Sequence, residues 1–384
     1  MSLLAAPELK APFPAFGGKS RIAPVVWQRL GDPRNYIEPF AFSAAMLLKR
    51  GSAGAIETIN DRNAFVANFW RAVQKDPDAV AAHADWPVNE TDLHARHRWL
   101  VGSDKSLAAL NVVREDVDAF DARIAGWWCW GACCWIGSGW CDETHRNCGS
   151  STRPDLEGQL VTSLPNLSET LPHMDIGGRL ILSPQLPMLG GDGSSGRGVH
   201  APHDRQPALA QGGWGINTGG DSRLRSDRRA WITDWMYRLA DRLRPVRVCC
   251  GHWNRICDSD STMTRLGTTG VFLDPPYRVS LRCGKKNRTA HIYANDRLQD
   301  VNALCDEVRE WCLRWGTNKE VRIALCGLEG EYPEIEAAGW DTHAWKSNGG
   351  YGNRSMARGK NDNAERERVW FSPHCVKTEG GLWD

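Results

Sequence analysis

The chain has 384 residues, 41% of them hydrophobic and 24% charged, with a formal net charge of +1. That make-up fits an ordinary globular protein with a sizeable core and argues against one that coats nucleic acid without selectivity. No apolar run approaches the ~20 residues of a membrane span, and Met1 to Lys10 lacks the layout of an export signal, so a cytoplasmic protein is expected. The thirteen cysteines are an odd number, which favours reduced thiols over disulfides. Cys129, Cys133, Cys134, Cys141 and Cys148 lack paired CxxC spacing, so they are read as small buried side chains, and no metal is expected.

In chain order, Asn35 to Phe40 reads as a strand, Ala41-Phe42-Ser43 as a small-residue turn and Ala44 to Arg50 as a helix. Ala55 to Ile59 reads as a second strand, ended by the turn Asn60-Asp61-Arg62-Asn63 and a helix from Ala64 to about Gln74. Strand, helix, strand, helix at this spacing opens a doubly wound, Rossmann-like α/β sheet. From about Asp85 to Asp241 that alternation stops. A helix near Asp92 to Leu100 and an aromatic run from Trp127 to Trp140, read as packing, precede a glycine-rich stretch from Gly190 to Gly220 that predicts a mobile loop. Alternation resumes with strands at Val246 to Cys250 and Val271 to Leu273, a helix from about Asp296 to Trp315, and strands at Val321 to Cys326 and Val369 to Phe371. Residues 1–82 and 242–384 are therefore expected to form one split domain, with 83–241 inserted into it.

Asp274-Pro275-Pro276-Tyr277 follows a buried strand, and open α/β sheets bind ligands at strand carboxyl ends. An exocyclic amine of a base is a poor nucleophile because its lone pair is delocalised into the ring. Acceptors that draw its two hydrogens improve it. Asp274 supplies a carboxylate, Pro275 a backbone carbonyl on a chain restricted by Pro276, and Tyr277 a ring on which a base can stack. Phe16-Gly17-Gly18-Lys19 offers close backbone approach to a ligand and a lysine that can meet a carboxylate. Glu38-Pro39-Phe40 ends the first strand, where a nucleoside cofactor would sit, and Asp61 ends the second, where an acid commonly binds ribose hydroxyls. Two basic stretches stand out. Arg223 to Arg247 has interspersed acids and suits a solvated surface, whereas Arg278, Arg282, Lys285, Lys286 and Arg288 have none and follow Tyr277 directly, a candidate phosphate contact.

These motifs, in this order, resemble the Dam-like DNA adenine N6-methyltransferases, above all those of phages and prophages. Phe16 to Lys19 is similar to the family's N-terminal cofactor motif, Tyr36 to Ala44 to its first methyltransferase motif, Asn60 to Asn63 to the second and Asp274 to Tyr277 to the catalytic one. Trp127 to Cys141 and Glu367 to Cys375 also look like the phage group. The resemblance implies S-adenosylmethionine as cofactor, with Asp61 on its ribose, and double-stranded DNA as partner, read in part by the insertion. It also implies methyl transfer to an adenine flipped out of the duplex.

Two positions depart from that pattern. Phe42 stands where the family usually has glycine, and a benzyl group there needs a different backbone path or invades cofactor space. In Cys250-Gly251-His252-Trp253, His252 stands where the family usually has an acid that accepts from the cofactor's adenine, while Trp253 is still placed to pack on that ring. The alternatives are N4-cytosine methylation, a catalytically silent DNA-binding relative, and an altered cofactor.

Overall fold

The computed structural model describes residues 9–15, 18–51, 53–135, 140–141, 228–278, 281, 301–346 and 365–377, with backbone alone for 151–154, 160–163, 173–174, 180–181 and 298–300. The expected loop from Gly190 to Gly220, Phe16, Gly17, and the basic residues Arg282, Lys285, Lys286 and Arg288 lie outside the described residues.

Helix α1 (Ala23–Leu30) opens on a proline in its first turn and leads to β1 (Asn35–Glu38), α2 (Ala45–Leu48), β2 (Ile56–Asp61) and α3 (Ala64–Lys75). Asn63 caps α3 by accepting from the Phe65 amide, so the turn predicted at 60–63 ends one element and starts the next. Four helices follow: α4 (Pro77–Ala84), α5 (Glu90–Gly102), α6 (Asp104–Glu115) and α7 (Ala122–Cys134). Asp76, Asn89 and Asp121 cap α4, α5 and α7 in the same way. Two short antiparallel hairpins, β3 (Ser151–Pro154) with β4 (Leu160–Ser163) and β5 (His173–Met174) with β6 (Leu180–Ile181), precede α8 (Arg228–Leu243). Then come β7 (Val246–Cys250), α9 (Asp260–Met263), β8 (Thr269–Leu273), α10 (Leu298–Trp315), β9 (Val321–Leu328), α11 (Pro333–Ala337), β10 (Asp341–Ala344) and β11 (Glu367–Phe371).

Seven strands form one mixed sheet in the order β10-β11-β9-β8-β1-β2-β7. The five from β9 to β7 run parallel, whereas β11 is antiparallel to both β9 and β10. The chain winds from β1 outward through β2 to β7, then crosses back to β8 on the other side of β1. The carboxyl ends of β1 and β8 therefore flank the point where winding reverses, the crevice in which doubly wound sheets bind ligands. Both strands are buried along their whole length, and in β1 this includes the polar Asn35 and Glu38, which find hydrogen-bond partners inside the fold.

The predicted boundaries at 82/83 and 241/242 fall inside α4 and α8, because the helical region is continuous with the core. Phe13, Phe69, Trp70 and Trp128 meet edge to face or tilted at 4.8–5.8 Å, joining the N-terminal segment, α3 and α7. Gly126 permits this closeness. A Cβ there would stand 2.4 Å from His83 Cβ and 2.8 Å from the Val80 carbonyl oxygen on α4. The aromatic run is thus packing: Trp128 and Trp130 are buried, and the Arg96 guanidinium lies over Trp86, Trp127 and Trp130 at 4.5–5.0 Å.

Buried charges tie the helices to the sheet. Arg71 on α3 donates to the carbonyls of Val248 on β7 and Val113 on α6. Glu57 on β2 has no exposed side-chain surface and accepts from Arg50 at 3.1 Å and from Arg242 of α8 at 2.7 and 2.9 Å. Removing one partner of such a group leaves the others desolvated and unpaired. Glu57→Ala should therefore lower stability by about 3–5 kcal/mol in urea unfolding; a loss within the error of the measurement would show that Arg50 and Arg242 find other partners.

Candidate active site

Four chain segments meet at the carboxyl ends of β1 and β8. Lys19, in a 3-10 turn (Lys19–Arg21), is buried, and its Nζ lies 3.1 Å from Asp274 Oδ1 and 3.4 Å from Glu367 Oε2. The Tyr277 hydroxyl lies 3.2 Å and 3.3 Å from those same two oxygens. Two donors and two carboxylates thus close a small polar ring, and the Lys19 ammonium also lies over the rings of Tyr277 and Trp345 at 5.2 and 5.7 Å. Asp274 keeps a quarter of its side-chain surface open, whereas Glu367 keeps 8%.

The segment after Tyr277 is fastened from outside the predicted motif. The Arg278 amide donates to Glu331 Oε1 at 2.6 Å, and the Cys305 thiol donates to the Pro276 carbonyl. Glu331 also accepts from the Leu328 amide at the end of β9, and burial raises its carboxyl above the ordinary range. The Arg278 guanidinium pairs at 2.5 Å with Asp306 of α10, so an acid that is remote in sequence neutralises the first member of the basic stretch. Two arginines of α8 are similarly engaged, Arg228 with Asp85 and Arg242 with Glu57.

Glu38 is buried and does not reach the surface. Its Oε2 accepts from the Tyr36 hydroxyl and the Leu47 amide, each at 3.1 Å, so it anchors α2 to β1. Burial pushes its carboxyl up to about 8 against those hydrogen bonds, and the charge of Asp274 adds to the rise. Pro39 is buried as well, while Phe40 is half-buried and stacks on Trp253 at 5.8 Å and 27°.

A second group lies along the ends of β2 and β7. Asp61 accepts from the Phe42 amide at 3.0 Å and the Asn63 amide at 2.8 Å, one bond to each carboxylate oxygen. Burial nevertheless lifts its carboxyl to about 6. Phe42 has φ of 37°, in the left-handed region that favours glycine. The glycine-type path is kept, and the ring sits edge-on to Phe13 at 5.6 Å, with about a third of its surface exposed. The Phe42 carbonyl accepts from Trp70 Nε1 at 2.8 Å, so both of its main-chain groups are held.

His252 Nδ1 lies 2.8 Å from Asn254 Oδ1, and its Nε2 lies 3.6 Å from Glu307 Oε2. The Asn254 oxygen is an acceptor for a proton on Nδ1, while Nε2 faces the Glu307 carboxylate beyond hydrogen-bond distance on a side chain that is 43% exposed. Trp253 is 3% exposed, covered by Phe40 on one face and met edge-on by Trp311. It belongs to the core rather than to an open ring-binding surface. Gly18 is exposed beside Lys19.

The structure thus gathers Lys19, Glu38, Asp274 and Tyr277 at one end of the crevice and Phe40, Asp61, His252 and Trp253 along it. It adds Glu367, Trp345, Tyr36 and Glu331, to which sequence reasoning assigned no role. Glu367 lies two residues before the strand predicted at Val369, and only the antiparallel register of β11 on β9, which pairs Glu367 with Leu328, sets it at this edge. Among the described residues, no cluster of three or more His, Cys, Asp or Glu side chains could hold a metal ion, and no helix is long and apolar enough to cross a membrane. No protein-family model matches the chain, and no curated protein is significantly similar to it.

The raised Glu38 carboxyl makes a pH prediction. Its folded value of about 8 exceeds the ordinary 4.5, so the folded chain holds a proton that the unfolded chain releases between those values. The stability it contributes is complete below about 4.5 and is lost as pH rises toward 8. Asp61 acts in the same sense between 3.8 and about 6, while Glu331, also raised by burial, and His83 and His343, lowered by burial from 6.5, add their own pH dependence, so Glu38 is read from the difference between wild type and Glu38→Gln from about pH 6 to 8. Thermal unfolding across that interval should show the wild type losing stability relative to Glu38→Gln; parallel curves would refute the assignment.

Proposed function

We propose that the protein methylates the exocyclic amine of adenine in double-stranded DNA, using S-adenosylmethionine. The observation that carries this reading is the position of Asp274-Pro275-Pro276-Tyr277 at the carboxyl end of β8, beside β1, where winding of the sheet reverses. Lys19 and Tyr277 both contact Oδ1 of Asp274, which leaves Oδ2 as the oxygen to accept one amine hydrogen. The Pro275 carbonyl is the second acceptor in the reading, and the Tyr277 ring is the surface for an extruded base.

The residues at the other end of the crevice fit the cofactor in part. Asp61, oriented by two backbone amides, retains lone pairs for ribose hydroxyls. When bound, the cofactor would supply a methyl group activated by its positive sulfur. The protein's own residues would orient the amine, strip its hydrogen bonds to water and hold one of its hydrogens at Asp274 and the other at the Pro275 carbonyl.

Incubating the protein with methyl-labelled cofactor and unmodified DNA, then digesting to nucleosides, should yield N6-methyladenine. N4-methylcytosine in its place would move the substrate to cytosine, and no label would count against transfer altogether. Asp274→Ala should lower transfer by roughly 10²–10³-fold, as loss of a group poised for transition-state charge does, while cofactor affinity measured by calorimetry stays within a few-fold.

A second reading has its own observation, the left-handed Phe42. It favours a relative with weakened or altered cofactor use, because a side chain occupies a glycine-type position next to Asp61. Calorimetry separates the two. Equal affinity of wild type and Phe42→Gly supports the methyltransferase with its loop as it stands, whereas binding seen only in Phe42→Gly supports the second reading.

A further inference from the structure

We propose that Glu367 is a positioning residue that keeps Asp274 an effective acceptor by sharing Lys19 with it; this rests on the methyl-transfer reading. The geometry that points to it is the polar ring itself. Lys19 and Tyr277 each reach the same oxygen of Asp274 and the same oxygen of Glu367, at 3.1–3.4 Å.

An ammonium facing Asp274 alone would neutralise the carboxylate that has to draw hydrogens from an amine. A second carboxylate on that ammonium leaves the group with a net negative charge, in a setting where Lys19 and Glu367 are both more than nine-tenths buried and water screens little. The Tyr277 hydroxyl has one proton and serves one carboxylate at a time, so Lys19 must supply the other. Glu367 therefore acts in two ways. It draws the ammonium off Asp274, and it keeps the Tyr277 hydroxyl, hence the ring expected to stack on the base, against the sheet.

Its place on β11 suits that role. The strand is held to β9 across its length, Glu367 starts it, and Trp345, whose ring lies under the Lys19 ammonium, donates its amide to the Glu367 carbonyl. The carboxylate is set by main-chain pairing rather than by a loop.

The test uses Glu367→Gln, which keeps the shape and removes the charge. Single-turnover transfer should fall roughly tenfold, with cofactor and DNA affinities unchanged. Glu367→Asp should retain part of the rate. Equal loss in Glu367→Asp and Glu367→Gln, as expected of a merely structural residue, would overturn the proposal. Labelling with an amine reagent, read at Lys19 by mass spectrometry, is independent of catalysis and should rise several-fold in Glu367→Gln. No transfer by the wild type would overturn the methyl-transfer reading, and with it the role given to Asp274. Lys19 labelling would still decide whether Glu367 holds the lysine, and equal labelling would show that it does not.

Discussion

A buried ammonium between two carboxylates organises the carboxyl edge of this sheet. Lys19 is out of water, and a charge in that position persists only if it is paired and hydrogen-bonded. Its partners come from β8 and β11, one parallel to the central strand and one antiparallel. The N-terminal turn is therefore fixed to the sheet at the place where winding reverses. Phe13, a few residues earlier, is fixed at the same time into the aromatic cluster of α3 and α7. One short segment thus links the polar site to the apolar core.

The same economy appears in the other buried charges. Glu57 holds α8 against β2, Arg71 holds α3 against β7 and α6, and Glu331 holds the segment after Tyr277 against the end of β9. Each joins segments far apart in sequence, and each sits where a purely apolar contact would leave main-chain groups or other charges unsatisfied. The helical region between β2 and β7 is consequently a layer of the core rather than an appendage.

What the sequence made legible follows from what is local. Strands β7 and β8 were readable as apolar runs and α3 from the Asn63 turn, because burial and capping leave marks within a few residues. Helices α1, α4, α6, α7, α8, α9 and α11, strand β10 and the two short hairpins escaped notice. Strand β10 is mostly exposed, with polar side chains, and acquires its identity only from pairing with β11. Of the site, Asp274 and Lys19 were legible as motifs, but their mutual contact was not. Glu367 opened a family-like segment, but its place beside Lys19 was not legible, since it depends on a register of β11 on β9 that no nearby pattern encodes. Trp253 misled for the opposite reason: an aromatic residue at a strand end suggests a ring-binding surface, yet the fold covers it with Phe40 and Trp311.

The turn between β1 and α2 carries the clearest local strain. Both Phe42 and Ala44 have positive φ, at 37° and 49°, and left-handed backbone costs an L-residue roughly 1–2 kcal/mol. Such a conformation persists where the surroundings over-determine it. Here the Phe42 amide is held by Asp61, its carbonyl by Trp70 and its ring by Phe13. The strain and the Asp61 carboxyl are therefore coupled. A ligand on Oδ1 can leave the Phe42 amide in place, whereas one that takes Oδ2 must share it with that amide or release a backbone that then relaxes from its unfavourable region. Protonation of Asp61, raised by burial to about 6, weakens the same hydrogen bond. The shape of this turn and the acceptor capacity of Asp61 are thus one property, set by a residue whose side chain opposes the conformation its backbone adopts.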